Sequence, residues 1–347
     1  MCKISVRSVG VKMSTKKEMR RGKVLVTGAG GFIGGHLAKK LLEQGNFVRA
    51  VDVKWDNFLD KPYYSESMTL DLRVPDNAIK ATKNIDYVFN LAANVGGMAW
   101  ITKVAAEIMR DNQRININML EASVKNNVKR FFFSSSACAY PYTLQEKPNV
   151  KPLKESDVSP SNPDTFYGWE KLLMEKECEA YTNDYGLETR IARFHSVYGE
   201  GCARDGIRDK VPSALCRKVL EAKQGDKIEI WGDGKQTRSF VYVSDCVNGI
   251  IALTNSSYGK PVNIGSDRLI SIDKLADMVI AISGKKLGKR YDLSKPQGVR
   301  GRCADITLAK KELGWEPKVT LEDGMERLYA FVDKSLKEDR SRAKNRS

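Results

Sequence analysis

Histidine is scarce in this sequence, and closely paired cysteines are absent. Only two histidines, His36 and His195, occur among 347 residues, so a histidine-rich metal site is excluded. The seven cysteines form no CxxC pair and are odd in number, which indicates a reducing, cytoplasmic compartment and no metal site. No apolar run approaches the ~20 residues that span a bilayer. We therefore expect no membrane partner.

Positive charge is abundant but concentrated at the two ends of the chain. The net charge is +15, of which residues 1–23 carry +7 and residues 334–347 carry +4. The remaining +4 on residues 24–333 argues against a nucleic-acid partner and suits a phosphorylated small molecule. The segment 1–22 lacks the apolar stretch of a secretory signal, although its few acids leave an organelle transit peptide open. We expect a disordered basic leader over 1–22 and a basic tail over 334–347.

Short apolar runs alternate with helical patterns over the first part of the chain. The runs KVLVT, FVRAVDV, MTLDLR, YVFNLAA, RFFFSSS and TRIARFHSVYG are typical of strands. Continuous apolar runs such as 24–26 indicate strands that are buried on both faces. Residues 101–126 and 167–185 have helical patterns. This alternation predicts an α/β fold with a Rossmann-type, doubly wound parallel sheet.

The pattern changes after about residue 196. The later strands are short and mixed with amphipathic helices, without an internal repeat or a low-complexity linker. We therefore predict an NAD-binding Rossmann domain over 23–195, with a segment near 238–256 that returns to it. A smaller C-terminal α/β substrate-binding domain is predicted over 196–333.

A glycine-rich loop directly follows the first predicted strand and opens the first predicted helix. Gly28, Gly31 and Gly34 have the spacing GxxGxxG, a variant of the dinucleotide fingerprint. Glycines let the backbone approach a pyrophosphate at the helix N-terminus. Asp52 ends the second predicted strand, where a carboxylate accepts hydrogen bonds from ribose hydroxyls and repels a 2′-phosphate, which favours NAD over NADP. A flavin loop, a mononucleotide loop or a scaffold without its ligand are the alternatives.

A tyrosine and a lysine lie four positions apart at the start of a predicted helix. Tyr167 and Lys171 therefore face the same way. A free tyrosine has a pKa of about 10, so a catalytic base near neutral pH needs a nearby positive charge. Taken alone, this spacing is more often a surface aromatic beside a helical ion pair.

Taken together, these motifs resemble an extended short-chain dehydrogenase/reductase. The resemblance covers residues 23 to about 333 and includes "DLR" at 71–73, "NLAA" at 90–93 and a serine-rich strand end before YxxxK. It implies that Tyr167 is the general acid/base, that Lys171 binds the nicotinamide ribose, and that Ser136 orients a sugar hydroxyl. It implies NAD as cofactor, held by Gly28, Gly31, Phe32, Ile33, Gly34, Asp52, Asp71, Leu72, Leu91, Ala92, Ala93, Tyr167 and Lys171.

A cysteine, Cys138, stands where dehydratases and decarboxylases of this superfamily carry an acid. With the strings LAANVGGMAWI, RFFFSSSACAYP, KVPSALCRK and GVRGR, the chain resembles the GDP-mannose 3,5-epimerases. That resemblance implies transient oxidation of C4 by a tightly bound, recycled NAD. Exchange of protons at C3 and C5 follows, with Cys138 as base and Lys210 as acid. By residue type alone, Cys138 is more often an inert buried thiol and Lys210 a solvated or phosphate-binding residue.

The same resemblance implies the substrate contacts and a partner. The substrate would be GDP-mannose and the products GDP-L-galactose and GDP-L-gulose. Pairing of the helices 101–126 and 167–185 would form a homodimer. The implied substrate-binding residues are Gly96, Gly97, Ser136, Ala137, Cys138, Ser196, Asp209, Lys210, Val211, Lys218, Gln236, Thr237, Arg238, Arg300 and Arg302.

Two departures from the family pattern concern the substrate. Ser196 stands where the family carries Asn. The loop 200–209 also differs, because Cys202 and Arg204 replace aromatic and small residues of the family. Another epimerase or a decarboxylase acting on a UDP- or dTDP-sugar is therefore an alternative. A non-catalytic NAD-sensing or RNA-binding relative is another, and the intact Ser136, Tyr167 and Lys171 argue against it.

Overall fold

The computed structural model describes residues 21–55, 63–203 and 205–344. Almost all of the predicted leader lies outside these ranges, as does Arg204. The strands are β1 Lys23–Thr27, β2 Phe47–Asp52, β3 Glu66–Thr69, β4 Tyr87–Asn90, β5 Arg130–Ser136, β6 Glu188–Phe194, β7 Val197–Tyr198, β8 Lys227–Trp231, β9 Thr237–Ser239, β10 Val241–Tyr242, β11 Val262–Ile264, β12 Leu269–Ser271, β13 Gly288–Asp292 and β14 Gly301–Arg302. The helices are α1 Phe32–Glu43, α2 Pro75–Thr82, α3 Met98–Lys103, α4 Ala105–Lys125, α5 Phe166–Tyr185, α6 Val211–Glu221, α7 Val243–Asn255, α8 Ile272–Ser283, α9 Thr307–Leu313 and α10 Leu321–Lys344. Three 3₁₀ turns, Ala137–Ala139, Tyr142–Gln145 and Glu155–Val158, lie between β5 and α5, and the first follows β5 directly.

Seven parallel strands form the central sheet, in the order β3-β2-β1-β4-β5-β6-β11. The strand order reverses direction between β1 and β4, which lie side by side at the middle of the sheet. Ligands of doubly wound sheets bind at such a switch point, beyond the carboxyl ends of the strands. The predicted fold class, a Rossmann-type doubly wound sheet, is confirmed.

The continuous apolar runs fill both faces of this sheet. Val24 and Val26 of β1 pack in a core on the side of α1, whereas Leu25 between them packs in a second core on the side of α4 and α5. In β5, Phe132 likewise points into the first core and its two phenylalanine neighbours into the second. Because side chains alternate along a strand, a strand buried on both faces is apolar along most of its length.

The prediction of one continuous helix over 101–126 is wrong. The structure has α3 and α4 instead, separated at Val104, whose backbone angles (φ −123°, ψ 41°) leave the helical region. The break lets α3 turn while Trp100 donates a hydrogen bond from its indole to the Asn94 side chain at 2.9 Å. At the other end of the chain, α10 continues to Lys344, into the segment expected to be a tail.

Smaller sheets lie in the C-terminal part of the chain. Strand β9 pairs antiparallel with β12 and parallel with β14, and β8 pairs with β13. The register of β9 and β14 places Arg302 opposite Arg238. No helix over the described ranges combines the length and apolarity that a membrane span requires.

Candidate active site

Helix α5 places its first turn directly against the end of β5. Thr165 caps the helix by accepting a hydrogen bond from the Gly168 amide at 3.2 Å. A side chain at Gly168 would come within 2.2 Å of the Cys138 carbonyl oxygen, so only glycine permits this approach. The contact brings Tyr167 close enough to Ser136 for the serine side chain to lower the pKa of the tyrosine, while Ser136 Oγ accepts a hydrogen bond from the Cys138 amide at 3.1 Å.

The hydroxyl of Tyr167 is surrounded by groups with opposing effects. Burial raises its pKa above the usual value, and negative charge on Cys138 and Glu170 adds to that effect. The hydrogen bond with Ser136 and the charge of Arg302 act in the opposite direction. The protein side of the site therefore keeps Tyr167 protonated at neutral pH. Its action as a base requires a further positive charge next to the ring.

The buried ammonium of Lys171 lies between two aromatic rings. Its Nζ is 4.8 Å from the centre of the Phe133 ring and 5.5 Å from the centre of the Tyr167 ring. A carboxylate oxygen of the neighbouring Glu170 is 3.8 Å from the same nitrogen. The predicted serine, tyrosine and lysine are thus brought together at the carboxyl end of the sheet.

Cys138 follows β5 in the 3₁₀ turn and faces a cation. Arg302 donates a hydrogen bond from Nη1 to the cysteine sulfur at 3.1 Å and another from Nε to the Gln145 side chain at 2.5 Å. Its Nη2 is 3.7 Å from Asp164 Oδ1. Arg238 lies opposite in β9, where burial and the charge of Arg302 lower its pKa. Two neighbouring guanidiniums favour the binding of an anionic ligand.

Lys210 lies immediately before α6, where the positive end of the helix dipole disfavours a cation. Although the residue is exposed, protein atoms crowd its ammonium and lower its pKa. Thiols of Cys202, Cys138 and Cys246 act in the opposite direction. The second predicted acid–base group is therefore within electrostatic reach of the first.

The loop before Lys210 packs against the predicted sugar-binding loop. The Gly97 amide donates a hydrogen bond to the Arg208 carbonyl at 3.1 Å. A side chain at Gly97 would come within 2.2 Å of the Asp209 carbonyl oxygen. The Arg208 guanidinium is 4.6 Å from the centre of the Trp100 ring. The two loops form one surface over the site.

The glycine loop fits the pyrophosphate of a dinucleotide. Gly28 has φ +69°, and a side chain at Gly34 would come within 2.1 Å of the Gly28 carbonyl oxygen, so the loop folds back closely on itself. Helix α1 begins after Gly31 with no side-chain cap and no acid in its first turn. These features leave the helix N-terminus open to an anion. They fit NAD, which would lie over this loop with Lys171 at its nicotinamide end.

Asp52 is engaged by the same loop. One of its oxygens accepts a hydrogen bond from the Gly30 amide at 2.9 Å, and the other accepts from the Val53 amide at 2.7 Å. The second oxygen also accepts a hydrogen bond from the Lys54 amide at 3.2 Å, so the backbone after β2 and the glycine loop both hold the carboxylate in place. Leu91 and Ala92 donate their amides to Thr27 Oγ1, both at 3.1 Å, and form the adjoining floor of the cleft.

Several predicted ligand contacts are occupied by protein partners. Asp71 forms a bidentate ion pair with Arg73, at 3.0 and 2.7 Å. Arg300 forms one with Asp233, at 2.9 and 3.0 Å. Ion pairs or hydrogen bonds within the protein also hold Asp209 with Arg217, Lys218 with Glu229, Gln236 with the Trp231 carbonyl and Thr237 with the Pro148 carbonyl. The ligand roles of these residues stay predictions.

Other residues of the site escaped the sequence analysis. Gly30 binds Asp52, and Gln145 and Asp164 surround Arg302. Glu170 is adjacent to Lys171 in sequence, yet a charged residue on a helix is ordinarily solvated, so its burial gave no signal. Over the described ranges, no group of three or more acidic, histidine or cysteine side chains could hold a metal ion.

The cleft at the switch point, the glycine loop and the Ser136–Tyr167–Lys171 arrangement are together typical of one class of enzyme. This class is the extended short-chain dehydrogenases/reductases. More particularly, the chain belongs to the NAD dependent epimerase/dehydratase family, whose model matches residues 24–265.

Known relatives agree with this assignment. The chain is 43% identical to GDP-mannose 3,5-epimerase 1 of Oryza sativa subsp. indica over 92% of this chain and 84% of that protein. It is similar to a solved UDP-glucose 4-epimerase of Thermotoga maritima, with a TM-score of 0.82 at 29% identity over 90% of this chain and 99% of the other. It is also similar to the UDP-glucuronic acid 4-epimerase of Bacillus cereus, solved with UDP-glucuronic acid and NAD, with a TM-score of 0.77 at 27% identity over 90% and 99%.

Three predictions are thereby confirmed. The resemblance to GDP-mannose 3,5-epimerases holds over most of the chain, the protein is an NAD-dependent epimerase, and NAD is its cofactor.

Proposed function

We propose that this enzyme inverts C3 and C5 of GDP-D-mannose to give GDP-L-galactose, and releases GDP-L-gulose when only C5 is inverted. The similarity to the rice enzyme supports the substrate. The observation that carries the reaction type is the thiol of Cys138, which accepts a hydrogen bond from Arg302. This thiol occupies the position where dehydratases and decarboxylases of the superfamily carry an acid.

The roles of the side chains follow from their positions. NAD, when bound, supplies the oxidation of C4 and its later reversal. Tyr167 accepts the proton of the C4 hydroxyl and later returns it, while Ser136 orients that oxygen. A carbonyl at C4 acidifies the hydrogens at C3 and C5. Cys138 then removes each of these protons from one face of the sugar, and Lys210 delivers a proton to the other face.

The charged groups around Cys138 suit a nucleotide-sugar diphosphate. Arg238 and Arg302 lie side by side, and burial lowers the pKa of Arg238, so an incoming anion compensates both cations. We assign the binding of the substrate diphosphate to this pair. Gly96 and Gly97, in the loop beneath Trp100, would then lie along the hexose.

We propose a homodimer that forms through α4 and α5. Helix α5 exposes large apolar side chains along its length, namely Phe166, Trp169, Leu173 and Tyr185. A neighbouring subunit would cover this face, because Phe166, Trp169 and Leu173 have the spacing i, i+3, i+7 and form one apolar patch, and such patches mark association sites. A cytoplasmic location is proposed from the six described cysteines, which are free thiols. The division into domains near residue 196 also remains our proposal.

Proton NMR of GDP-mannose in D₂O with the purified enzyme, without added NAD, tests the proposal. Deuterium at C3 and C5, with new anomeric signals of the galactose and gulose types, is expected and would also establish a tightly held cofactor. UDP-glucose in place of GDP-mannose is the matched control and should show neither change. Absence of exchange with GDP-mannose even after NAD is added, alongside exchange with a UDP- or dTDP-hexose, would refute this substrate.

A further inference from the structure

A buried chain of polar side chains leads from the floor of the cofactor cleft to Lys171. Thr27 Oγ1 donates a hydrogen bond to Asn90 Oδ1, the Asn90 amide donates to Asn116 Oδ1, and the Asn116 amide donates to Glu170 Oε1. Each of these distances is 2.9 Å. All four residues are almost completely buried, with at most 1% of their surface exposed. Burying these polar groups costs free energy unless their donors and acceptors are hydrogen-bonded.

Every link of this chain points in one direction. Each residue donates to the next, and the chain ends on Glu170, which accepts. The other carboxylate oxygen, Oε2, is buried and has no hydrogen-bond partner among the described residues. It lies 3.8 Å from the Lys171 ammonium, itself 2% exposed. A carboxylate in this place keeps one oxygen for the amides and one for the ammonium.

The pKa of Glu170 depends on the charge of Lys171. Burial raises the pKa of Glu170, whereas the Lys171 charge and hydrogen bonds from Asn112 and Asn116 lower it. The titratable or charged groups near it on its own helix are Lys171 and Tyr167, with the Cys178 thiol within electrostatic reach of Lys171. The neighbouring elements present the Asn112 and Asn116 amides from α4, the Asn90 amide from β4 and the Phe133 ring from β5.

We propose that Glu170 is a positioning residue, whose carboxylate keeps Lys171 an oriented ammonium beneath Tyr167 and couples it to the floor of the cofactor cleft. The proposal deepens the proposed function and rests on it, because Lys171 and Tyr167 act there in the C4 step. At the other end of the chain, Thr27 Oγ1 accepts hydrogen bonds from the Leu91 and Ala92 amides, which form the floor of the cofactor cleft.

Glu170→Gln is the decisive variant, because it keeps the shape and an acceptor oxygen but removes the charge. Without that charge the Lys171 ammonium loses the carboxylate that lies 3.8 Å from it, so the alkaline limb of the pH profile of C4 oxidation should move down by about one unit or more. Negative charge on Glu170 also raises the pKa of Tyr167, so its removal should move the acid limb down as well. Near the alkaline limb the rate should fall about 10-fold.

Two controls separate this role from a purely structural one. Glu175→Gln, on the same helix, removes a buried carboxylate that pairs with Arg193 at 2.7 Å, and should lower thermal stability without moving either limb. Glu170→Asp keeps the charge and should restore both limbs at a reduced rate. If Glu170→Gln lowers the melting temperature yet leaves both limbs unmoved, the proposal is overturned.

A measurement without any sugar keeps this test independent of the substrate. The affinity of the NAD-free enzyme for NAD, measured by calorimetry, should weaken more steeply from neutral to alkaline pH in Glu170→Gln than in the wild type. Identical pH dependence in the two proteins would contradict the proposal. Failure of GDP-mannose to react at all would instead refute only the proposed function, because the NAD titration does not involve the sugar.

Discussion

The Arg302 guanidinium donates a hydrogen bond to the sulfur of Cys138, 164 positions away in the chain, at 3.1 Å. The contact joins β14 to the turn that follows β5. An anionic sulfur would therefore have a charged hydrogen-bond partner next to it, as a proton-abstracting thiol requires. The same arginine lies within electrostatic reach of Tyr167. Two steps of the proposed reaction thus share one cation.

Cys138→Ser should block exchange of the C3 and C5 hydrogens and still permit slow oxidation of C4. A hydroxyl is a far weaker base than a thiolate, so we expect exchange to fall about 10²- to 10⁴-fold. Deuterium incorporation measured by NMR, together with absorbance of the reduced cofactor, separates the two steps.

Cys303→Ser is the matched control for that variant. Its sulfur is 3.4 Å from the Asp267 carbonyl oxygen, a hydrogen bond that a hydroxyl can keep. Turnover should stay near that of the wild type. Full turnover in Cys138→Ser as well would show that the proton acceptor is another group.

Lys210 should set a pH limit on exchange. Because its pKa lies below 10.5, an acid function of Lys210 should decline with rising pH before an ordinary lysine would lose its proton. Lys210→Arg should move the alkaline limb of deuterium exchange to higher pH while lowering the rate. An alkaline limb that is the same in both proteins would assign the acid to another residue.

The same group should affect stability, with a definite sign. The folded protein holds the Lys210 proton less tightly than the unfolded chain does. Protonation therefore costs stability at neutral pH, and this cost disappears as the pH rises through the lowered pKa towards 10.5. Lys210→Met should unfold at higher denaturant concentration than the wild type at neutral pH, and the difference should shrink at alkaline pH.

Trp100 should position Lys210 through Arg208. The indole contacts the Arg208 guanidinium, two positions before Lys210, and such a contact contributes about 0.5–1 kcal/mol at an exposed site. Trp100→Ala should therefore slow C3 and C5 exchange about 2- to 5-fold or more, and leave C4 oxidation less affected. Trp100→Phe retains a ring and is the matched control. Equal slowing of both steps in Trp100→Ala would indicate a general loss of structure.

Much of this architecture was predictable from the sequence because its causes are local. Apolar runs at every position identify strands buried on both faces, and the glycine spacing identifies the loop between β1 and α1. The break at Val104 was not predictable, since the helical pattern continues through it and the turn depends on the contact between Trp100 and Asn94.

The site divides in the same way. The spacing of Tyr167 and Lys171 identifies them once the glycine loop and the strand–helix alternation indicate the superfamily, because one helix carries both. The contact between Cys138 and Arg302 depends on the register of β9 and β14, which no local pattern determines. The hydrogen-bonded chain that ends on Glu170 is built from three buried residues on three other elements, β1, β4 and α4.

Ser196 is the departure from the family pattern whose effect on the fold can be measured. Its backbone has φ +37°, a region that costs a residue with a side chain about 1–2 kcal/mol and that Asn tolerates better. Ser196→Asn should therefore raise the free energy of unfolding by about 1 kcal/mol in denaturant titrations. It should also lower the KM for GDP-mannose, because the longer amide offers two N–H donors and a carbonyl acceptor where serine has a single O–H donor. Ser196→Gly relieves the same backbone without supplying an amide, so it should raise stability and leave KM unchanged or higher. If Ser196→Asn instead raises KM for GDP-mannose while improving use of another hexose, then the serine was selecting a different sugar.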